Sequence, residues 1–260
     1  MTSVTHTIEG GVGRIVLSRP DMGNAIDMGL AEDLVAAAKA CAQDEAARCV
    51  VLSGAGRMFC VGGDIGSFAA AGDRMGAFLR KLADVLHEAV LVLARMDKPL
   101  VVVVHGPAAG AGLSLALLGD VVLASEAAHF TAAYTGIGVT PDGGMSWLLP
   151  RLVGLRAAQE MILTNRRVSA AEAASLGIVT RTVAADALAA EAEAVAAKLV
   201  AAPTRALGQV RKLLAEGQTR GLAEQLEAEA ATIAAAADGA EGREGIGAFL
   251  AKRKPDFDAT

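Results

Sequence analysis

The sequence predicts an α/β fold, and three observations carry that expectation. Short apolar runs at residues 49–53, Leu100–Val104 and Val121–Ser125 have the length of buried strands. Between them lie segments with apolar residues at helical spacing, such as Leu82, Leu86, Ala89, Leu93 and Met96. The two kinds of segment alternate along the chain, the pattern of helices packed on a largely parallel sheet. Composition agrees. Of the 260 residues 53% are apolar but only 3% aromatic, and alanine supplies much of the apolar share, which favours closely packed helices over an aromatic-rich β-sandwich.

Taken in order, residues 5–8 and 14–18 flank a turn rich in glycine and predict a β-hairpin. Residues 19–23 turn, and Asp27 is placed to cap a helix whose inner face carries Leu30, Leu34, Ala37 and Cys41. The strand at 49–53 runs into a loop at 54–66, and a long helix is expected over 73–96. The strand Leu100–Val104 then leads through a second turn of small residues into a compact helix from about Gly110, and a strand follows at Val121–Ser125. After an extended piece near Phe130, residues 134–145 form a glycine-dense loop holding Pro141 and Asp142. Helices are expected from about Ser146 and Arg156, and again from Ser169, where Ser169 and Glu172 match a capping box. A last strand is expected at 178–183, followed by helices at 187–201, 203–215, 222–237 and 241–252. Leu222, Leu226, Ala230 and Ile233 make an apolar stripe with little chain left to cover it, so it belongs either to the core or to a subunit interface.

Charge and cysteine usage exclude several classes. The net charge is −5 and no long basic run occurs, which argues against nucleic acid as a partner. Cys41, Cys49 and Cys60 are odd in number and lack paired metal spacing; reduced thiols in a cytoplasmic protein, with no metal site, are the expectation. The opening MTSVTHTIEG has no basic region followed by an apolar core, so no signal peptide is expected. The alanine-rich stretch 184–202 is interrupted by Asp186, Glu191, Glu193 and Lys198, which excludes a membrane span there.

Two loops carry the candidate chemistry. Each follows a strand, and each is lined with small residues: Gly62 and Gly63 in the first, 108–112 in the second. Backbone N–H groups are left accessible there, and two of them converging on one point could hold an oxyanion. The G-x-G sequences lack the acidic residue of a dinucleotide fingerprint. Asp142 lies in a P-D-G sequence that suits an ordinary turn.

Five segments together resemble the crotonase superfamily of acyl-CoA enzymes. They are RPDMGNAI at 19–26, FCVGGDI at 59–65, KPLVVVVHGPAAGAG at 98–112, PDGGMSWLLPRLVG at 141–154 and AFLAKRKPDF at 248–257. The resemblance implies a crotonase-like α/β spiral of β-β-α units with a C-terminal helical trimerisation region. It divides the chain into a core at 1–200 and a helical region at 201–260 for oligomerisation and closure of the CoA pocket. It also implies a homotrimer or hexamer, and thioester substrates in which coenzyme A is part of the substrate rather than a separate cofactor. By position, Gly63 and Ala111 match the two oxyanion donors. Met22, Ala25, Val61, Gly62 and Gly63 match the CoA-binding stretch, with Lys252 approaching the CoA phosphates of a neighbouring subunit.

The match departs from the hydratases of the superfamily at one place. Where they hold water between two glutamates, Ser114 and Tyr134 stand here. Asp142 falls instead at the aspartate of the phenylacetate-pathway ring-epoxide CoA isomerases, whose PD-x-G-x-x-W-L-L-P-R pattern is close to 141–151. A single carboxylate suits double-bond isomerisation, taking a proton alpha to the thioester and returning it to the gamma carbon. The resemblance leaves three alternatives: an enoyl-CoA hydratase, an aryl-CoA dehalogenase-like enzyme with Asp142 as nucleophile and His87 as base, and a non-catalytic acyl-CoA-binding oligomer. Ser114, Tyr134, His87 and Trp147 are the further pocket candidates.

Overall fold

The computed structural model describes residues 2–258. The chain opens with the hairpin β1 (Val4–Glu9) and β2 (Val12–Leu17), followed by helix α1 (Met28–Gln43). Asp27 caps α1 as expected, its carboxylate accepting the Leu30 N–H at 2.8 Å. Strand β3 (Cys49–Gly54), a short helix α2 (Ile65–Ala70) and the long helix α3 (Met75–Arg95) come next. Then follow β4 (Leu100–Val104), β5 (Ala108–Ala109), α4 (Ala111–Ala116), β6 (Val121–Ser125) and β7 (His129–Thr131). The remainder comprises α5 (Met145–Thr164), β8 (Val168–Ser169), α6 (Ala170–Leu176), β9 (Arg181–Val183), and four helices: α7 (Leu188–Val200), α8 (Thr204–Gly217), α9 (Leu222–Asp238) and α10 (Ala240–Leu250).

The expected spiral of β-β-α units is present. Six strands form one sheet in the order β1-β2-β3-β4-β6-β9, parallel apart from the opening hairpin. A second, narrower stack runs beside it. Ile26 bridges Gly63, Cys60 bridges Ala108, and β5 pairs with β7, all parallel. Each turn of the chain therefore places a strand in the main sheet, a short extended piece in the second stack, and then a helix. The candidate loops lie in that second stack.

The unbroken apolar run of β4 has a direct explanation. Leu100, Val102 and Val104 pack on the face covered by α1 and α3, while Val101 and Val103 pack with Leu188, Ala192 and Ala196 of α7. A strand covered on both faces cannot alternate apolar with polar residues. Burying each such side chain contributes about 1.5–3 kcal/mol. The predicted inner faces of α1 and α3 are likewise buried, at Leu30, Leu34, Ala37 and Cys41 and at Leu82, Leu86, Ala89, Leu93 and Met96.

Two expectations need correction. The loop at 54–66 ends early, because Asp64 caps α2 by accepting the Ser67 N–H at 3.1 Å. The final strand is confined to Arg181–Val183. The two helices expected from Ser146 and Arg156 are present as the two halves of α5, separated at Gly154, whose φ of 77° and ψ of 157° are non-helical. The stripe of α9 is exposed in the single chain, Leu222, Leu226 and Ile233 being 76%, 55% and 71% accessible, so it is not intramolecular core. Helix α8 is fixed to the core by Arg211, which pairs with Asp120 at 2.7 Å and donates to the carbonyls of Leu93 and Met96. Among the described residues, no helix is long and apolar enough to cross a membrane.

Candidate active site

A cavity of roughly 640 Å³ opens between the two loops, helix α3 and the loop before α5. Its lining includes Val61, Gly62, Gly63, Ala111, Tyr134 and Asp142, with apolar walls from Phe68, Leu82, Leu86 and Ile137. Among the described residues that line it, Asp142 is the sole carboxylate. Six residues expected near the site do not line it: Met22, Ala25, His87, Ser114, Trp147 and Lys252. Trp147 is 44% exposed and lies under the Arg151 guanidinium, 4.0 Å from its ring centre; one turn into α5 its side chain turns outward rather than against Asp142.

The backbone explains how Gly63 is presented. Ile26 N–H donates to the Gly62 carbonyl at 2.8 Å, and Asp64 N–H donates to the Ile26 carbonyl at 2.9 Å. In an extended strand the residue between two such bonds turns its own N–H to the opposite edge. For Gly63 that edge is the cavity. Across it, Ala109 N–H donates to the Cys60 carbonyl at 2.9 Å and Gly110 N–H to Thr131 at 3.1 Å. Ala111 is the next residue and the first of α4, where an N–H has no carbonyl within its own helix. Gly62 joins the two loops: a Cβ built there would lie 2.9 Å from the Ala109 carbonyl oxygen and 3.5 Å from the Ala111 nitrogen.

A polar network holds the first loop. Asn24 is fully buried; its amide donates to the carbonyls of Ala55, Met58 and Phe59 at 2.9, 2.9 and 3.0 Å and accepts from Arg19 N–H at 2.9 Å. The Arg19 guanidinium pairs with Asp27 at 3.0 Å and Asp64 at 3.2 Å. Burial works to raise the Asp64 carboxyl, but the Ser67 N–H and the Arg19 charge outweigh it and hold the group below its ordinary value. Cys60 is buried, its thiol directed at the Asn24 carbonyl at 3.1 Å, and it has no surface from which to act as a nucleophile. Sequence reasoning missed these roles of Arg19, Asn24 and Asp64. The available signal was a polar Asn24 directly before the apolar pair Ala25-Ile26.

Ser114 and Tyr134 meet at Asp142. Tyr134 O–H donates to Asp142 Oδ1 at 2.6 Å, and Ser114 O–H donates to the Asp142 main-chain carbonyl at 3.0 Å. Burial, and then the Asp142 charge, push the Tyr134 phenol well above its ordinary range, so it stays protonated and donates. The next N–H, that of Gly143, donates to His87 Nε2 at 3.0 Å. His87 thus faces the back of the Asp142 loop rather than the cavity. Its Nε2 lone pair, which a base would need, is engaged. Among the described residues no group of three His, Cys, Asp or Glu is placed to hold a metal ion.

An α/β spiral whose cavity is lined by two glycine-rich loops and one carboxylate is the architecture of an acyl-CoA thioester enzyme, and comparison with known proteins bears this out. The chain belongs to the enoyl-CoA hydratase/isomerase family, whose model matches residues 7–260. It is 34% identical to 1,2-epoxyphenylacetyl-CoA isomerase of Escherichia coli (strain K12), over 99% of this chain and 98% of that protein. It is 38% identical to a Rhodobacter capsulatus protein named "Probable enoyl-CoA hydratase", over 98% of this chain and 97% of the relative. Among solved structures, an enoyl-CoA hydratase from Polaromonas sp. JS666 superposes with a TM-score of 0.93 at 32% identity, covering 97% of this chain and 98% of that one. The protein is an enzyme of this family and processes acyl-CoA thioesters.

Proposed function

We propose that the enzyme moves a carbon–carbon double bond in an enoyl-CoA thioester through an enolate. The N–H groups of Gly63 and Ala111 hold the thioester oxygen as it becomes negative, and Asp142 carries the proton. The carboxylate removes a proton from the alpha carbon of a 3-enoyl thioester, the electrons delocalise as a dienolate, and the same proton returns to the gamma carbon. The double bond ends between the alpha and beta carbons. Neutral backbone donors suit this because they are oriented before charge develops, and one such donor is typically responsible for about 10²–10³ in rate. The observation that carries the reading is that Asp142 is the lone carboxylate among the described residues lining the cavity, with hydroxyls at Ser114 and Tyr134 where the resemblance implies the glutamates of a hydratase.

The names of the relatives favour a second reading, enoyl-CoA hydratase, and taken as names they support it better than isomerisation. In that case Asp142 would be the carboxylate available to activate water. Initial rates on matched 2-enoyl-CoA and 3-enoyl-CoA substrates separate the two. Isomerisation is expected to exceed hydration, and Asp142→Asn to abolish it while thioester binding stays within about threefold. Hydration faster than isomerisation would establish the second reading, and an active Asp142→Asn would overturn the role given to that carboxylate.

The proposed assembly is a homotrimer or hexamer built through 201–260, a region that also closes the CoA pocket. The exposed apolar stripe of α9 supports this, as do Ile246, Phe249 and Leu250 at the end of α10. Met22, Ala25 and the Val61–Gly63 backbone are proposed to follow the CoA arm, with Lys252 reaching the phosphates of a neighbouring subunit.

A further inference from the structure

We infer that His87 is a positioning residue for Asp142, holding the Asp142–Gly143 peptide from behind while Ser114 holds it from the other end. The inference rests on the proposed role of Asp142 as proton carrier. One peptide unit has a single carbonyl and a single N–H, and here both are bound by side chains from different helices. Ser114 of α4 donates to the Asp142 carbonyl at 3.0 Å, and His87 of α3 accepts from the Gly143 N–H at 3.0 Å. Rotation of that peptide is blocked at both ends, which fixes the direction in which the Asp142 side chain leaves the backbone. Tyr134 then fixes Oδ1 at 2.6 Å, and among the described residues no donor reaches Oδ2. One carboxylate oxygen is anchored and the other is left for substrate.

The bond also sets the state of the imidazole. To accept at Nε2, His87 must carry its proton on Nδ1 and be neutral. A doubly protonated ring would present N–H to N–H and release the peptide. This differs from the base that a dehalogenase-like mechanism requires, because the lone pair is spent on structure 3.0 Å from Gly143 rather than directed at a reacting water.

Three variants test it on the intact enzyme with the 3-enoyl-CoA substrate. His87→Leu keeps an apolar side chain in place but cannot accept. His87→Gln puts an amide oxygen near the position of Nε2, whereas the shorter His87→Asn does not reach it. A displacement on the scale of an ångström costs up to about 100-fold, so kcat is expected to fall about 10- to 100-fold in the leucine and asparagine variants, with KM within about threefold. His87→Gln is expected to recover kcat to within about threefold of the parent. Equal impairment of glutamine and asparagine, a loss confined to KM, or an unimpaired leucine variant would each overturn the inference. Should His87→Leu fail to fold, the glutamine–asparagine contrast still decides. An inactive Asp142→Asn beside an unimpaired His87→Leu overturns the clamp alone, whereas an active Asp142→Asn removes the functional reading and the clamp with it.

Discussion

Gly62→Ala offers the sharpest test of how the two loops cooperate. Gly62 has φ +97°, and its added Cβ would lie 2.9 Å from the Ala109 carbonyl oxygen, 3.4 Å from the Gly110 Cα and 3.5 Å from the Ala111 nitrogen. The nearest atom is backbone, so no side chain can swing aside; relieving the contact requires the loops to separate by about 0.5 Å. The left-handed backbone adds about 1–2 kcal/mol of strain for an L residue. A loss of that size leaves a domain stable by about 5–15 kcal/mol folded. Catalysis is affected differently. An oxyanion donor must lie about 2.7–3.1 Å from its target, and a shift of about 0.5 Å carries one of the two amides outside that range. The expected result is a drop in kcat/KM of about 100-fold or more with a melting temperature lowered by only about 2–8 °C. Gly76→Ala supplies the control: it is exposed near the start of α3, its Cβ would meet nothing within 4 Å, and alanine favours the helix by about 1 kcal/mol. Its activity should match the parent. A well-folded Gly62→Ala enzyme with parental kcat/KM would refute the convergence of the amides of residues 63 and 111 on one oxygen.

Two further outcomes follow from titrating groups. The Asp64 carboxyl is held below its ordinary value in the folded chain, so its contribution to stability is complete above the unfolded carboxylate value of about 3.9 and is lost as pH falls through the lower folded value. The stability gap between the parent and Asp64→Asn, measured by urea unfolding, should therefore be widest near neutrality and close in acid; a gap independent of pH would contradict this. Burial pushes the thiols of Cys41, Cys49 and Cys60 up to about 11, 12 and 12, so at pH 8 the native protein should react with a disulfide reagent at least about 100-fold more slowly than the unfolded chain. Rapid labelling of Cys60 would show that its loop opens far more readily than its packing implies.

The main sheet and the long helices were legible because their periodicity reports burial directly. β4 shows five consecutive buried apolar residues, and α3 repeats one every three or four positions. The second stack was not. Its strands β5 and β8 are two residues long, too short for any alternation to register, and two of its pairings are single bridges. α2 escaped because six residues make fewer than two helical turns, although its cap Asp64 was visible in the sequence. At the site, the family resemblance located Gly63, Ala111 and Asp142, which do line one cavity. It misplaced Trp147, because position along a helix does not say which way the side chain turns. It also assigned His87 by chemistry rather than geometry. An imidazole that accepts from a backbone N–H and one that activates water are the same letter in a sequence; only the Gly143 contact distinguishes them.

The resemblance to the hydratases implies two glutamates at the positions of Ser114 and Tyr134, and having hydroxyls there instead has a consequence that reaches beyond the loss of a water-activating pair. Carboxylates at those two positions would sit within hydrogen-bonding range of Asp142, where three like charges could not remain ionised together. Neutral hydroxyls remove that conflict and supply donors. Ser114 grips the main chain of Asp142 and the protonated Tyr134 grips its side chain. On the proposed reading, a site that in a hydratase divides its work between a base and an acid concentrates it in one anchored carboxylate. Hydration needs both partners in the same transition state, whereas moving a proton from the alpha to the gamma carbon needs one group used twice. Restoring a glutamate at residue 114 would therefore place a second charge against Asp142 rather than rebuild a hydratase, unless Asp142 were neutralised in the same chain.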